Sequence, residues 1–158
     1  MPEYLHATTS EHFEAARQLF TEYAAWLNVD LCFQSFDKEL ENLESMYVPP
    51  HGDLILCMNE GGYIGCVGIR LFSKDIAEMK RLYVKESARH GGIGRALIKE
   101  AEKSALAKGY TEIKLDTLNT MKPAVELYRK NGYKETGSYY NNPLEGVVYF
   151  SKKLNQDG

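Results

Sequence analysis

Apolar positions along this chain recur with two different periods, and the switches between them mark out its elements. Between positions 10 and 28, Phe13, Ala16, Phe20, Tyr23, Ala24 and Leu27 return every three or four residues, which predicts an amphipathic helix with Ser10 as its N-cap. The run YLHATT at 4–9 reads as a short strand ahead of it. A second helix is expected over 37–47, with Leu40 and Leu43 on one side and Pro49-Pro50-His51-Gly52 ending it. Apolar runs at 53–59, 63–72 and 76–84 follow, separated by Gly61-Gly62 and by a polar turn at 73–75. They predict an antiparallel meander. The helical period then returns: Ile93, Leu97, Ala101 and Ala105 form an inner stripe to about position 108, and Gly109 suits a C-cap. A strand at 112–118, a short helix at 122–132 with Pro123 in its first turn, and strands at 133–140 and 147–154 complete the pattern.

This order, β-α-α-β-β-β-α-β-α-β-β, predicts one α/β domain of the α+β kind over residues 1–158, with about four helices around a central sheet. The 158 residues suit a single domain, and 44% hydrophobic with 26% charged residues is ordinary for a soluble one. A net charge of −3 argues against a general nucleic-acid binder. No apolar run is long enough to span a membrane, and the first residues lack the pattern of a secretory signal, so the expected location is the cytoplasm. Cys32, Cys57 and Cys66 are odd in number and have no metal-ligand spacing. They read as reduced thiols, the latter two buried in strands. His6, His12, His51 and His90 show no paired spacing either, so no metal is expected.

The chemistry starts at Arg89-His90-Gly91-Gly92-Ile93-Gly94-Arg95, between a strand and a helix. Glycine lets backbone approach a ligand closely, and the first N–H groups of a helix, together with its dipole, favour an anion. The third glycine of a dinucleotide fingerprint is missing, and so is the Gly-Lys-Ser/Thr of a nucleotide-triphosphate loop. The remaining pattern is Arg-x-x-Gly-x-Gly after a strand.

That loop, the preceding KRLYV strand and the later LDTL and AVELYRKNGY segments resemble, in this order, the GNAT superfamily of N-acetyltransferases. The likeness is close over about 53–154, an acyl-CoA-binding core, and looser before it. It implies a mixed, mostly antiparallel sheet with a splayed parallel strand pair, and acetyl-CoA as acyl-donor substrate. The resemblance assigns the pantetheine arm to the backbone of Leu82, Tyr83 and Val84, and the pyrophosphate to Arg89, His90, Gly91, Gly92, Ile93, Gly94 and Arg95. A ligand with amides can satisfy a splayed strand as an added strand does. The family often places an asparagine where this chain has Met121; Asn119 is the substitute contact expected here.

Tyr128 takes the place of the family's general acid, which protonates the leaving thiolate; periodicity alone would make it a core aromatic. Glu78 and Asp116, carboxylates in apolar strands, are the candidate bases. Glu78 is slightly preferred, with a salt bridge to Lys80 or Arg81 as its structural alternative, and capping near Thr117 as that of Asp116. For the acceptor pocket, the first helices and the last hairpin offer Trp26, Leu31, Phe33, Gln34 and Tyr47, then Tyr139 and Asn141 as the preferred contacts. Arg70 or Arg81 could hold an acceptor carboxylate, or serve only as surface charges. The expected function is transfer of acetyl from acetyl-CoA to a primary amine of a small molecule by direct attack. The alternatives are a non-catalytic acyl-CoA-binding sensor or accessory domain, a protein-amine acetyltransferase, and another acyl donor such as succinyl-CoA. The resemblance allows a homodimer; nothing in the sequence decides it.

Overall fold

The computed structural model describes residues 2–28, 31, 35–60 and 62–154. Among them are strands β1 (Glu3–His6), β2 (Asp53–Asn59), β3 (Gly62–Ser73), β4 (Ile76–Val84), β5 (Glu112–Leu118), β6 (Lys134–Thr136) and β7 (Val147–Lys153). The helices are α1 (Ser10–Leu27), α2 (Phe36–Glu41), α3 (Leu43–Met46), α4 (Ile93–Ala107) and α5 (Lys122–Lys130). The strands make one sheet in the order β1-β2-β3-β4-β5-β7-β6. Only β4 and β5 pair in parallel; the other neighbours are antiparallel. This is the mixed sheet expected.

The sheet has a core on each face. On one, Ile55, Val67, Ile69, Ala77 and Met79 pack against the stripe Ile93, Leu97, Ala101 and Ala105 of α4 and against Tyr128 of α5. On the other, Leu54, Leu56, Cys66 and Tyr83 pack against Phe13, Ala16 and Phe20 of α1 and Leu43 and Tyr47 beyond it. Each fully buried leucine or isoleucine here contributes ~1.5–3 kcal/mol through loss of water contact.

Several boundaries differ from the sequence expectation, three of them for a local reason that the structure shows. The N-cap of α1 is Thr9, not Ser10: His12, three residues on, accepts from the Thr9 N–H while Thr9 accepts from the His12 N–H. Ser10 would face Phe13, which has no acceptor for the reciprocal bond. The helix expected over 37–47 is two helices, because Asn42 leaves helical geometry (φ −123°) and its side-chain amide donates to the Lys38 carbonyl. Among the described residues this makes five α-helices, two of them short ones that stand in place of one expected helix. The first strand ends at His6. The strand expected over 133–140 keeps only Lys134–Thr136, because Tyr139 and Tyr140 both reach carboxylates on one face of the sheet, and consecutive strand residues face opposite sides. Cys57 and Cys66 are buried free thiols, whereas Cys32, Phe33, Gln34 and Gly61 lie outside the described residues.

Candidate active site

The parallel pair is short. β4 meets β5 only at Ile76↔Glu112, Ala77↔Ile113 and Glu78↔Lys114. Beyond those pairs β5 continues along β7, and β4 continues along β3. One cause lies in β4 itself. Opposite β3, its register advances from Lys80 to Tyr83 while β3 moves from Gly68 to Cys66, so β4 holds one extra residue. Arg81 takes φ +61° there. A bulge of this kind bends its strand and re-aims its side chains. The strands part, and the gap becomes a cleft walled by Met79–Leu82, Asp116, Thr117 and Tyr128, with Tyr23 and Trp26 of α1 across it. Leu82 and Val84 pack into the α4-side core, and Tyr83 is buried on the opposite face. Of the three residues assigned to pantetheine, Leu82 lines the cleft, Tyr83 is buried, and the Val84 carbonyl accepts from Arg89.

The glycine loop continues from β4 through a single 3₁₀ turn, Glu86–Ala88. His90 (φ +71°) and Gly92 (φ +80°) are left-handed, and α4 begins at Ile93 with no side chain capping it. The first N–H groups of α4 therefore have no intrahelical acceptor and no side-chain substitute. His90, Gly91, Gly92 and Arg95 are exposed. Arg89 is already engaged: its Nε donates to the Val84 carbonyl at 2.9 Å, and its guanidinium lies over the Trp26 ring at 4.6 Å. Such a stack is attractive and ties the last turn of α1 to the loop.

Tyr128 projects from α5 between the rings of Tyr133 and Phe150. Its phenol is pushed upward by burial, then by the neighbouring Tyr23 and Asp116. It stays protonated at neutral pH, so it can donate a proton but not accept one. Among the described residues its hydroxyl has no hydrogen-bond partner, and the residue lines the cleft.

Strand alternation and parallel register put Glu78, Lys80, Lys114 and Asp116 on one face of the β4–β5 pair. The loop at 137–146 covers this face. Tyr139 donates to Glu78 Oε2 at 2.8 Å, Tyr140 to Asp116 Oδ2 at 2.6 Å, and Asn142 Nδ2 to the same oxygen at 2.9 Å. The other oxygen of Glu78 accepts from Arg70 Nε at 3.1 Å. Its ion pair is thus with Arg70, not with Lys80 or Arg81. Asp116 lines the cleft with Tyr128, while Glu78 lies deeper, between Arg70 and Tyr139.

Several expected contacts are placed elsewhere. Asn119 sits on another face of α5, beside Lys122, Val125 and Arg129, and its amide rests against Gly146. Asn141 is exposed; the neighbour that reaches Asp116 is Asn142. Tyr47 is fully buried, its ring so close to Gly68 that a Cβ there would stand 2.6 Å away. Arg81 is no surface charge, because its side chain is 4% exposed and forks onto Glu39 at 2.7 and 3.1 Å. Arg70 is spent on Glu78. Sequence reading missed Glu39 and Lys80. The one signal for the latter was three charges, Glu78, Lys80 and Arg81, inside an otherwise apolar strand.

Among the described residues no three His, Cys, Asp or Glu side chains converge as metal ligands. A family model described as an acetyltransferase (GNAT) domain matches residues 50–135. An uncharacterized N-acetyltransferase of Schizosaccharomyces pombe is 39% identical over 142 residues, covering 89% of this chain and 87% of that protein. An acetyltransferase of the GNAT family from Staphylococcus aureus superposes with a TM-score of 0.82 at 18% identity, over 98% of this chain and all (100%) of that one. PaiA N-acetyltransferase from Thermoplasma acidophilum, solved in complex with coenzyme A, gives 0.72 at 20% identity over 97% and 99% of the two chains. With a splayed parallel pair, an uncapped glycine loop and relatives of this kind, the chain belongs to the GNAT superfamily of N-acetyltransferases.

Proposed function

We propose that this acetyltransferase uses acetyl-CoA as its donor substrate and acetylates a primary amine of a small molecule by direct attack. The observation that carries the reading is the pairing, in one cleft, of a buried phenol that stays protonated with the carboxylate of Asp116. Acetyl-CoA supplies an activated acyl group: the amine nitrogen bonds to the thioester carbonyl carbon, the C–S bond breaks, and the thiolate leaves. Asp116 takes the proton that the amine sheds, and Tyr128 gives one to the thiolate sulfur. The glycine loop and the first turn of α4 hold the pyrophosphate. The backbone of Leu82–Val84 holds the pantetheine amides, and free N–H groups of the bulged strand stabilise the developing oxyanion. Asp116 is favoured over Glu78 as base because it lines the cleft, whereas both oxygens of Glu78 are occupied away from it.

The test is release of free thiol from acetyl-CoA against a panel of small primary amines. Amine-dependent release is expected, and Tyr128→Phe is expected to lower turnover about 100-fold with CoA affinity kept. Tight CoA binding with no release on the whole panel would overturn the reading. Unchanged turnover in the variant would remove Tyr128 as the acid.

A further inference from the structure

Lys80 has no partner to explain it. It is 9% exposed, lies on β4 immediately before the bulge, and lines the cleft. Among the described residues its ammonium forms neither a hydrogen bond nor an ion pair. The charges around it are Arg81, Glu78, Arg70 and Glu39. Those four already satisfy one another as Arg81–Glu39 and Arg70–Glu78. Two cations and two anions cancel, and Lys80 is left as one buried positive charge. A buried, unpaired ammonium is strongly unfavourable. Such a group either loses its proton or meets an anion that a ligand supplies.

Parallel register says where that anion would lie relative to the reacting amine. Glu78 is paired with Lys114. Two residues further on, Lys80 and Asp116 occupy matching positions on the same face, but the strands have parted by then. The ammonium and the carboxylate stand on opposite walls of the cleft and do not pair with each other. A molecule with an amine at one end and a carboxylate at the other would complete both. Its amine would meet Asp116 beside Tyr128, and its carboxylate would meet Lys80. Because Lys80 is one uncompensated charge, the site suits a monoanion, not a phosphate dianion.

We propose that Lys80 is the carboxylate-binding residue of the acceptor pocket, and that the acceptor is therefore an amino acid. The inference rests on the acetyl-transfer reading and deepens it. Burial and the neighbouring Arg81 lower the pKa of Lys80. A bound carboxylate offsets both effects and holds the ammonium charged.

The experiment compares α-, β- and γ-amino acids, each with its own primary amide, as acceptors for acetyl-CoA. In the wild-type protein, kcat/KM for the best amino acid should exceed that for its amide about 10- to 100-fold, the range of a charged hydrogen bond. In Lys80→Met that ratio should collapse toward one, whatever absolute rate survives. A wild-type ratio near one, or a Lys80→Met ratio equal to that of wild type, overturns the proposal while leaving acetyl transfer intact. If no amine of either kind releases thiol, the acetyl-transfer reading fails. Binding then decides the role of Lys80: CoA-loaded wild-type protein is titrated calorimetrically with the N-acetyl amino acids and with their amides. Equal affinity for the two sets overturns the proposal, and at least tenfold tighter binding of the acids supports it. The thermal midpoint gives a readout that does not depend on turnover. Removing an unpaired buried charge should raise it in Lys80→Met, whereas a Lys80 serving only structure would lower it.

Discussion

The glycine loop ahead of α4 and the loop at 137–146 each brace a wall of one cleft, the first through Arg89 on Trp26 and the second through Tyr140 and Asn142 on Asp116, but they are made of opposite materials. The first presents backbone: left-handed His90 and Gly92, an uncapped helix start, and side chains that are small, exposed or turned away. The second presents side chains: Tyr139, Tyr140 and Asn142 set on two carboxylates of the sheet. A backbone site reads a common feature such as a diphosphate and tolerates much sequence change. A side-chain site reads one acceptor and is rebuilt whenever the acceptor changes. The contrast predicts that changes on the side-chain wall alter turnover and acceptor choice while sparing CoA affinity, and that changes in the glycine loop do the reverse.

The largest effect is expected from Asp116→Asn. It keeps the shape and the hydrogen bonds offered to that position but cannot take a proton. Turnover should fall about 100- to 10,000-fold with CoA affinity within about twofold, measured by thiol release and by CoA titration. A parallel loss of CoA binding would break the division between the two walls.

Next is Glu39→Ala, behind the bulge. It strands the Arg81 guanidinium in the core, and loss of one member of such a pair typically destabilises by about 3–5 kcal/mol, which denaturant unfolding would measure. The pH behaviour follows. Burial pushes the Glu39 carboxyl upward, but the hydrogen bonds and charge of Arg81 outweigh it and hold it below its usual 4.5. Its stabilising contribution is therefore fully present above about pH 4.5 and is lost as the pH falls through the lower, folded value. Glu39→Gln should flatten the acid limb of the stability profile relative to wild type. An unchanged limb would mean that Arg81 does not depend on the Glu39 charge.

A smaller effect is expected at Gly92→Ala, which forces φ +80° on a residue with a Cβ. A strain of ~1–2 kcal/mol should weaken CoA binding about tenfold and leave the preference among acceptors unchanged. Smallest is Tyr139→Phe, which removes one of two donors to Glu78. About 1 kcal/mol of stability and a shift in acceptor KM are expected, without a change in CoA affinity.

How much the sequence disclosed follows the same division. β4 and β5 have the bounds that their apolar runs predict, and the stripe of α4 is buried as its period requires. The glycine loop is continuous in sequence, so its role can be read locally. The acceptor wall proposed above draws on Lys80, Asp116, Tyr139 and Asn142, which are near one another only because β4 and β5 share a face and a loop folds across it. Periodicity says that Glu78 and Lys80 share a side. It does not say that Arg70 claims one and that nothing claims the other. Arg81 shows the limit best: a regular strand would point it away from Lys80, and only the extra residue in β4 carries it inward to Glu39. A bulge has no sequence signature of its own here, since an arginine holds the left-handed position.

The brevity of the β4–β5 pairing also has a mechanical consequence. Among the described residues only three register pairs join the half-sheet β1–β4 to the half-sheet β5–β7–β6, with one further backbone bond, Thr111 N–H to the Asp75 carbonyl, just before them. A ligand that lies in the gap and bonds to both edges would act as a removable suture. In the empty protein, amide protons of β5 and β7 should exchange as a cooperative unit separate from those of β2 and β3. In the occupied protein the two units should merge, so that ligand binding is felt as stiffness across the whole sheet.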